Sequence, residues 1–410
     1  MRVTNNIMAN NVLDNILRGS QTLSKIQDQL SSGKKIAKPS DDPTNINRVM
    51  GFREDISRMN QYLSNINAVK VNLDTTDGIL FSLTEEINSV ETSIGKYSNG
   101  ALSGEFSAAI ASDIENIFDG IMKTANSSLN GKYIFGGQNV TQAPFEVDGN
   151  KIRYNGTDNQ KSIIVGDNES LDGSISGVDL FSISKMEGVK YSNSPDQVLY
   201  ATPASDKIKI TVGDVTTDIT IEYDATKGMT LQDIVDSISK SGAEVKAMVE
   251  QTTNGYRLKM VSNYVGSDGE ITIKDELPGG VFEKMGLLNT AGDFVGIKND
   301  PKGGVLSTIL SIKNKIQAGD SDISKEVADL TTGRDNVIKA HALVGIYVKR
   351  MEQRESHLTD LVIQQKTLTS SIEDIDYATL MMEYNKQMVG YQAALNVGAK
   401  IMGRTLLDYL

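Results

Sequence analysis

Proline sets the strongest limit on how this chain folds, because a proline inside an α-helix removes a backbone hydrogen bond and clashes with the preceding turn. The seven prolines leave residues 44–143 and 302–410 of the 410-residue chain free of proline. Glycine has the opposite distribution, since 22 of the 36 glycines lie between Gly131 and Gly304, where turns and strand ends use them. The sequence therefore predicts long helices in both outer parts of the chain and β-structure between them.

The segment that follows Pro43 predicts one long helix with a coiled-coil repeat. Asp42 is placed to cap this helix, and Pro43 fits its first turn, where a missing N–H costs nothing. Ser40, Asp41, Asp42 and Pro43 form the predicted loop and cap motif. Beyond it, residues three and four apart form a seam in which only Thr76 is polar. The seam residues are Val49, Phe52, Ile56, Met59, Leu63, Ile66, Val69, Leu73, Thr76, Leu80, Leu83, Ile87, Val90, Ile94 and Tyr97.

A second heptad pattern occupies the other proline-free stretch, followed by a predicted break at 369–374 and a last helix. Its core positions are Leu330, Val337, Val344, Met351 and Leu358. An amphipathic stretch also precedes the turn at Gly33. The apolar residues of the two outermost segments form the predicted assembly interface. They are Ile7, Val12, Ile16, Leu23, Ile26, Leu30, Leu380, Tyr384, Met388, Tyr391, Leu395, Leu406, Leu407 and Leu410.

The outermost helices need partners, because a seam buries too little of a lone helix to offset the entropy of ordering it. Each buried seam side chain contributes ~1.5–3 kcal/mol, whereas each ordered residue costs ~1–2 kcal/mol. We expect these helices to pair with each other or with a neighbouring subunit, and to be disordered in the free monomer. The interior seams are interpreted as the core of each subunit's own bundle.

The middle of the chain alternates short apolar runs with Gly-rich turns, which is typical of β-structure. A first β domain is predicted from Tyr133. A second module has the predicted order β-β-α-β-β. Its four strands lie near 208–212, 219–223, 245–249 and 256–260, and residues 271–273 add an edge strand. A helix is predicted at 231–238 and is capped by Thr230 and Asp233.

The residue types present argue against a catalytic or metal-binding role and for a structural role. The chain has no Cys and two His, His341 and His357, without metal-ligand spacing, so no metal, cofactor or catalytic residue is predicted and the chain is not expected to be an enzyme. A net charge of -12 without basic clusters disfavours nucleic acid. No apolar run has the length of a membrane span or of a secretory signal, so membrane insertion is not expected and an exported form needs another route.

The predicted fold class is α+β, with a long antiparallel helical coiled-coil bundle formed by both chain ends and inserted β-rich outer domains. The predicted segments follow the chain. They are 1–42, the N-terminal assembly helix and loop; 43–132, a helical rod of a long helix and a return helix; 133–197, the first β domain; 198–300, the inserted β-β-α-β-β module; 301–370, the C-terminal part of the rod; and 371–410, the C-terminal assembly helix.

Three segments resemble the bacterial flagellin family, including its hook-associated members. The run IQDQLSSGKKIAKPSDDPTNINRVM resembles the amino-terminal signature of flagellins, and its PSDDP resembles the hook-associated form. The run YQAALNVGAKIMGRTLLDYL resembles the terminal helix of hook-associated proteins, and GKYIFGGQNVTQAPF resembles their transition from helix to β-structure. The 208–273 module is similar to an insertion motif of the same family.

This resemblance implies a non-catalytic subunit that is exported unfolded and joins the hook to the filament outside the cell. The implied partners are further copies of itself in a ring, a neighbouring hook-associated protein on the hook side, flagellin on the filament side and a cytoplasmic export chaperone. Paired terminal helices would then line the tube and the β domains would face outward. Two alternatives stay open: a filament flagellin, and an adhesin or enzyme displayed on a flagellin scaffold.

Overall fold

The computed structural model describes residues 2–99, 104–158, 162–199, 206–221, 228–276, 279–320 and 322–402. It confirms the α+β class, with long helices in both outer parts of the chain and a β-rich middle. Two compact units are present. Unit 1 draws on the described residues up to Ser64 and from Arg354 onward, and unit 2 contains Asn65–Gln353.

Helices account for most of the outer parts of the chain. In chain order they are α1 (Arg2–Ser32), α2 (Pro43–Asn99), α3 (Gly104–Ala125), α4 (Gly177–Leu180), α5 (Leu231–Lys240), α6 (Val281–Lys284), α7 (Val305–Gln317), α8 (Ser324–Glu373) and α9 (Tyr377–Met402). The break that was predicted at 369–374 is shorter and later, because α8 continues to Glu373 and the Asp376 carboxylate caps α9 by accepting the Ala378 N–H at 2.9 Å.

The strands lie between α3 and α7. They are β1 (Ser128–Leu129), β2 (Lys132–Tyr133), β3 (Phe145–Asp148), β4 (Lys151–Tyr154), β5 (Ser162–Gly166), β6 (Glu169–Asp172), β7 (Ile183–Glu187), β8 (Asp206–Val212), β9 (Val215–Ile221), β10 (Val245–Thr252), β11 (Gly255–Val265), β12 (Ile271–Asp275) and β13 (Ile297–Lys298).

The predicted seam of α2 forms the helical core of unit 2. From Ile66 onward its residues are buried apart from Val69, and the polar Thr76 bonds its hydroxyl to the Asn72 carbonyl at 2.8 Å. Helix α3 contacts α2 through a 2.6 Å hydrogen bond from the Ser93 hydroxyl to Asp113. Helix α3 also packs against α7, a helix that the heptad patterns did not single out.

Helices α2 and α8 run in opposite directions within unit 2. Asp77 Oδ1 lies 2.9 Å from His341 Nε2, and Glu91 Oε2 lies 2.6 Å from Arg334 Nη1. Residue numbers therefore decrease along α8 in the direction in which they increase along α2. The predicted heptad residues of α8 are buried as well. Within this unit the two proline-free stretches therefore form an antiparallel pair, as the fold class required.

Strands from both predicted β segments meet in one sheet. The larger sheet has the order β13-β7-β11-β4-β3, with β10 also paired to β11, and a smaller sheet has the order β12-β8-β9. Strands β4 and β7 belong to the predicted 133–197 segment, whereas β10, β11 and β13 belong to 198–300. The predicted boundary therefore does not separate two sheets. The physical reason is the length of β11, which runs to Val265 and reaches both β4 and β7.

The larger sheet has two unlike faces. Met186, Met260 and Ala247 are register partners on β7, β11 and β10, and they face an apolar core that includes α5. Helix α5 begins with the predicted capping box between Thr230 and Asp233. The other face carries Glu187 and Lys259, which are also register partners.

This second face is ionic and largely buried, and it is called the ionic face below. The ammonium group of Lys259 lies 2.6 Å from Asp158, 2.9 Å from Glu250 and 3.4 Å from Glu187. Burial alone would lower the pKa of Lys259, but the adjacent carboxylates raise it, Asp158 most of all. The charges therefore stabilise one another, and removing one partner leaves a buried charge uncompensated.

The α2 seam can be tested with two neighbouring residues. Leu80 is fully buried and Phe81 is 58% exposed. We expect Leu80→Ala to destabilise unit 2 by about 2–5 kcal/mol, because it leaves a cavity in the core. Phe81→Ala is expected to change stability by about 0.5 kcal/mol or less. Thermal unfolding followed by circular dichroism compares the variants, and equal losses would contradict the seam assignment.

Candidate assembly interface

Helices α1 and α9 of unit 1 pack against each other in antiparallel register. A Cβ built on Gly19 would lie 3.2 Å from Tyr391 Cδ2, and one on Gly33 would lie 3.3 Å from Tyr377 Oη. One on Gly398 would lie 3.2 Å from Val12 Cγ1. Residues near the start of α1 thus contact residues near the end of α9. The glycines allow close approach of the two helices at these levels.

The predicted residues of α1 follow this contact with one exception. Ile26 is buried, and Val12, Ile16, Leu23 and Leu30 are half-buried. With Gly19 these positions alternate four and three apart, which is a heptad seam. Ile7 is exposed. Since only one large apolar residue of the α1 seam is fully buried, the pair buries little surface in a single copy.

The predicted residues of α9 divide into two groups. Leu380, Tyr384 and Tyr391 are half-buried, whereas Met388 and Leu395 are 41% and 42% exposed. Apart from Glu383, the less exposed positions along α9 are spaced four and three apart. They are Leu380, Tyr384, Gln387, Tyr391, Ala394 and Gly398. Leu406, Leu407 and Leu410 lie outside the described residues.

Sequence reasoning missed this register because three of its positions are not large apolar residues. A search for apolar periodicity does not select Gln387, Ala394 or Gly398. It favours the neighbouring residues Met388 and Leu395 instead. The small size of Ala394 and Gly398 was the available signal, since small residues let helices approach closely.

Met388 and Leu395 belong to a second stripe of α9, called the outer seam. It consists of Tyr377, Met381, Met388 and Leu395, all exposed, together with Tyr384 and Tyr391, which it shares with the α1-facing register. These positions also alternate four and three apart. At about 100° per residue, the exposed members lie roughly 70° around the helix from the α1-facing positions. The helix thus presents a heptad seam whose members Met381, Met388 and Leu395 are exposed, while Tyr384 and Tyr391 are partly covered by α1.

The predicted loop and cap motif is stabilised by two carboxylates. Asp41 Oδ2 accepts the N–H groups of Lys38 at 2.9 Å and Ala37 at 3.2 Å. Asp42 Oδ1 accepts the N–H of Asn45 at 3.1 Å at the start of α2. These backbone hydrogen bonds, from Lys38 and Asn45 most of all, lower the pKa of Asp41 and of Asp42. Both carboxylates therefore stabilise the loop at neutral pH and lose that contribution as the pH falls through their lowered pKa values.

The same loop is attached to the junction between α8 and α9. Glu373 is buried, its Oε1 lies 2.7 Å from Lys34 Nζ, and it also pairs with Arg53 of α2. The Lys35 N–H donates to the Glu373 carbonyl at 2.6 Å, and the Ile375 N–H donates to the Gly33 carbonyl at 3.2 Å. This cluster, the loop joint, connects the ends of four helices. Nothing in the sequence pattern marked Glu373, because one charged residue at a helix end is common.

The described residues offer no group of three or more His, Asp or Glu side chains that could hold a metal ion. His341 pairs with Asp77, and His357 is exposed. In the part of the chain that the structure describes, no helix is both long and apolar enough to cross a bilayer.

Comparison with known proteins places the helices in context. Residues 3–140 match the bacterial flagellin N-terminal helical region. Flagellar hook-associated protein 3 of Salmonella typhimurium is 29% identical over 147 residues, which cover 36% of this chain and 46% of that protein. The chain thus spans less than half the length of this relative. A flagellin of Clostridium tyrobutyricum is 23% identical over 399 residues, which cover 96% of this chain and 97% of that protein.

A solved structure of the flagellar hook-associated protein-3 from Legionella pneumophila is also similar. It has a TM-score of 0.48 and 14% sequence identity, and the match covers 79% of this chain and 98% of that chain.

The loop joint can be tested by Glu373→Gln, which keeps the shape of the side chain and removes its charge. Lys34 and Arg53 are nearly half exposed, so we expect a loss of only about 1–2 kcal/mol. Amide exchange at Lys35 and Ile375 should accelerate about tenfold. Glu54→Gln, at an exposed carboxylate of α2, is the matched control and should leave both rates unchanged. Equal rates in Glu373→Gln and the unmodified chain would show that the ion pairs do not hold the loop.

Proposed function

We propose that the chain is a member of the bacterial flagellin family and a structural subunit of the flagellum that joins the hook to the flagellin filament. The observation that carries the proposal is the similarity to Salmonella typhimurium hook-associated protein 3, which agrees with the PSDDP and LLDYL forms in this sequence. The proposal assigns no catalytic role to the chain and places it outside the cell, on the flagellum.

The proposed mechanism is assembly through helix seams. The pair of α1 and α9 leaves most of its seam residues only half-buried, so its helices gain stability when a further helix covers them. The outer seam supplies a surface with the spacing that a coiled-coil partner requires. The occupant we propose is a terminal helix of a second copy in a ring. In this view the interior seams build each subunit and the outer seam joins subunits. The predicted disorder of both ends in the free monomer remains part of this proposal.

The remaining partners follow from the position that we propose. A hook-associated protein would lie on the hook side, flagellin on the filament side, and an export chaperone would bind the chain in the cytoplasm. Leu406, Leu407 and Leu410 stay proposed interface residues on sequence grounds alone.

Filament flagellin is the second candidate, because the similarity to the Clostridium tyrobutyricum flagellin extends over nearly the whole of both chains. The two candidate functions differ in the number of subunits per flagellum and in the location of those subunits. A flagellin polymerises in bulk along the filament, whereas a junction subunit is present only where hook and filament meet.

Deletion of the gene in the source bacterium distinguishes these candidates. For a junction subunit we expect free hooks on the cell and flagellin in the medium, because flagellin is still made but cannot attach. Restoring the gene should restore filaments. Loss of filaments without flagellin in the medium would favour the flagellin candidate, and normal filaments would refute both assignments.

The outer seam is tested by two adjacent residues of α9. Met388 lies in the outer seam, whereas Val389 is 67% exposed and lies about 100° further around the helix. We expect Met388→Glu combined with Leu395→Glu to prevent incorporation at the hook while export continues, since charges cannot enter an apolar seam without cost. Val389→Glu should incorporate normally. Immunoblots of isolated hooks and of the medium measure both quantities, and normal incorporation of the double variant would contradict the proposed interface.

A further inference from the structure

Of the five exposed methionines among the described residues, three lie on α9, and the other two are Met8 of α1 and Met50 of α2. Met381, Met382 and Met388 lie within eight residues of one another and are 46%, 66% and 41% exposed. Other methionines are deeply buried in unit 2. These are Met186, Met229, Met260, Met285 and Met351. A thioether in solvent is open to oxidants, whereas one packed in a core is shielded. The α9 methionines thus differ from the core methionines in their access to oxidants, a property that they share with Met8 and Met50.

The three α9 methionines do not occupy equivalent positions. Met381 and Met388 are seven residues apart and belong to the outer seam, beside Tyr384 and Tyr391. Met382 follows Met381 but points about 100° away from it, outside both seams. Two of the sulfurs therefore lie where a partner helix is proposed to pack, and the third lies away from it.

We propose that Met381 and Met388 form a modification site for peroxide oxidants, and that their oxidation blocks assembly of the chain. A sulfur lone pair attacks the near oxygen of hydrogen peroxide, the O–O bond breaks, and an S–O bond forms. The sulfur loses two electrons, the peroxide is reduced, and its second oxygen leaves as water after proton transfer. The product is methionine sulfoxide, which a methionine sulfoxide reductase returns to the thioether.

The effect on assembly follows from polarity. The sulfoxide oxygen is a strong hydrogen-bond acceptor, and burying it in an apolar seam costs free energy that the thioether does not. This inference rests on the proposed function, because it requires the outer seam to be an interface. We expect each sulfoxide in the seam to weaken assembly by about tenfold. Sulfoxide at Met382 has no such effect, because that side chain stays in solvent.

The test uses the full purified chain and hooks isolated from the deletion strain. The chain is treated with graded hydrogen peroxide, peptide mass spectrometry measures sulfoxide at each methionine, and co-sedimentation with hooks measures assembly. We expect Met381 and Met388 to oxidise much faster than Met351 and co-sedimentation to fall in step. The Met381→Leu, Met388→Leu variant keeps an apolar seam without sulfur and should co-sediment after the same treatment. Met382→Leu is the matched control and should lose co-sedimentation like the unmodified chain.

The outcomes separate this inference from the proposed function. If the untreated chain fails to co-sediment with hooks, the junction function is wrong. If it co-sediments and continues to do so with sulfoxide at both positions, the function stands and the oxidation site is overturned. Oxidation of Met381 and Met388 no faster than Met351 would overturn it as well. Recovery of co-sedimentation after treatment with the reductase supports it when the Met381→Leu, Met388→Leu variant also resists peroxide. The reductase repairs sulfoxides at Met8 and Met50 as well, and that variant retains both of these residues.

Discussion

The structure depends on the burial of the α2 seam by helices from a distant part of the chain. A helix of 57 residues cannot bury its own stripe, and nearest neighbours in sequence supply only α3. The ion pair between Glu91 and Arg334 joins residues 243 positions apart. The chain between α3 and α7 must therefore leave the helical core and return to it. The β-rich middle is an insertion for this reason, and its strands pair with one another rather than with an outside sheet.

The helical core was predictable because its signal is redundant. Over many heptads the spacing of large apolar residues fixes which side of the helix is buried, and single polar positions such as Thr76 do not obscure it. The flagellin motifs were equally informative, since residues 3–140 match the bacterial flagellin N-terminal helical region. The α9 register was not predictable, because Gln387, Ala394 and Gly398 fill its contact positions. Glu373 was missed for a related reason, since its partners Lys34 and Arg53 are remote in sequence. The pairing of strands from both β segments in the larger sheet was not predictable for the same reason, because the paired residues are far apart in sequence.

Helix α9 combines two seams on one surface, and the difference between them bears on assembly. The α1-facing register includes small residues and is already occupied, while the outer seam has large side chains, of which Met381, Met388 and Leu395 are exposed. Tyr384 and Tyr391 lie between them and contribute to both. A neighbouring helix can therefore join without displacing α1, so the proposed addition of a subunit needs no exchange of existing contacts. A helix with a single seam could pack against a helix of its own chain or of a neighbouring subunit, but not against both.

The ionic face of the larger sheet carries a different consequence, which concerns how this domain changes over evolution. Each carboxylate there serves more than one cation, and Lys259 serves three carboxylates, so a single substitution disturbs several pairs at once. Sequence drift on this face is expected to proceed by compensating exchanges, in which a lost positive charge is followed by a lost negative one. The apolar face tolerates stepwise changes of shape instead. Aligned relatives would then show covarying charges on one side of the sheet and independent apolar variation on the other.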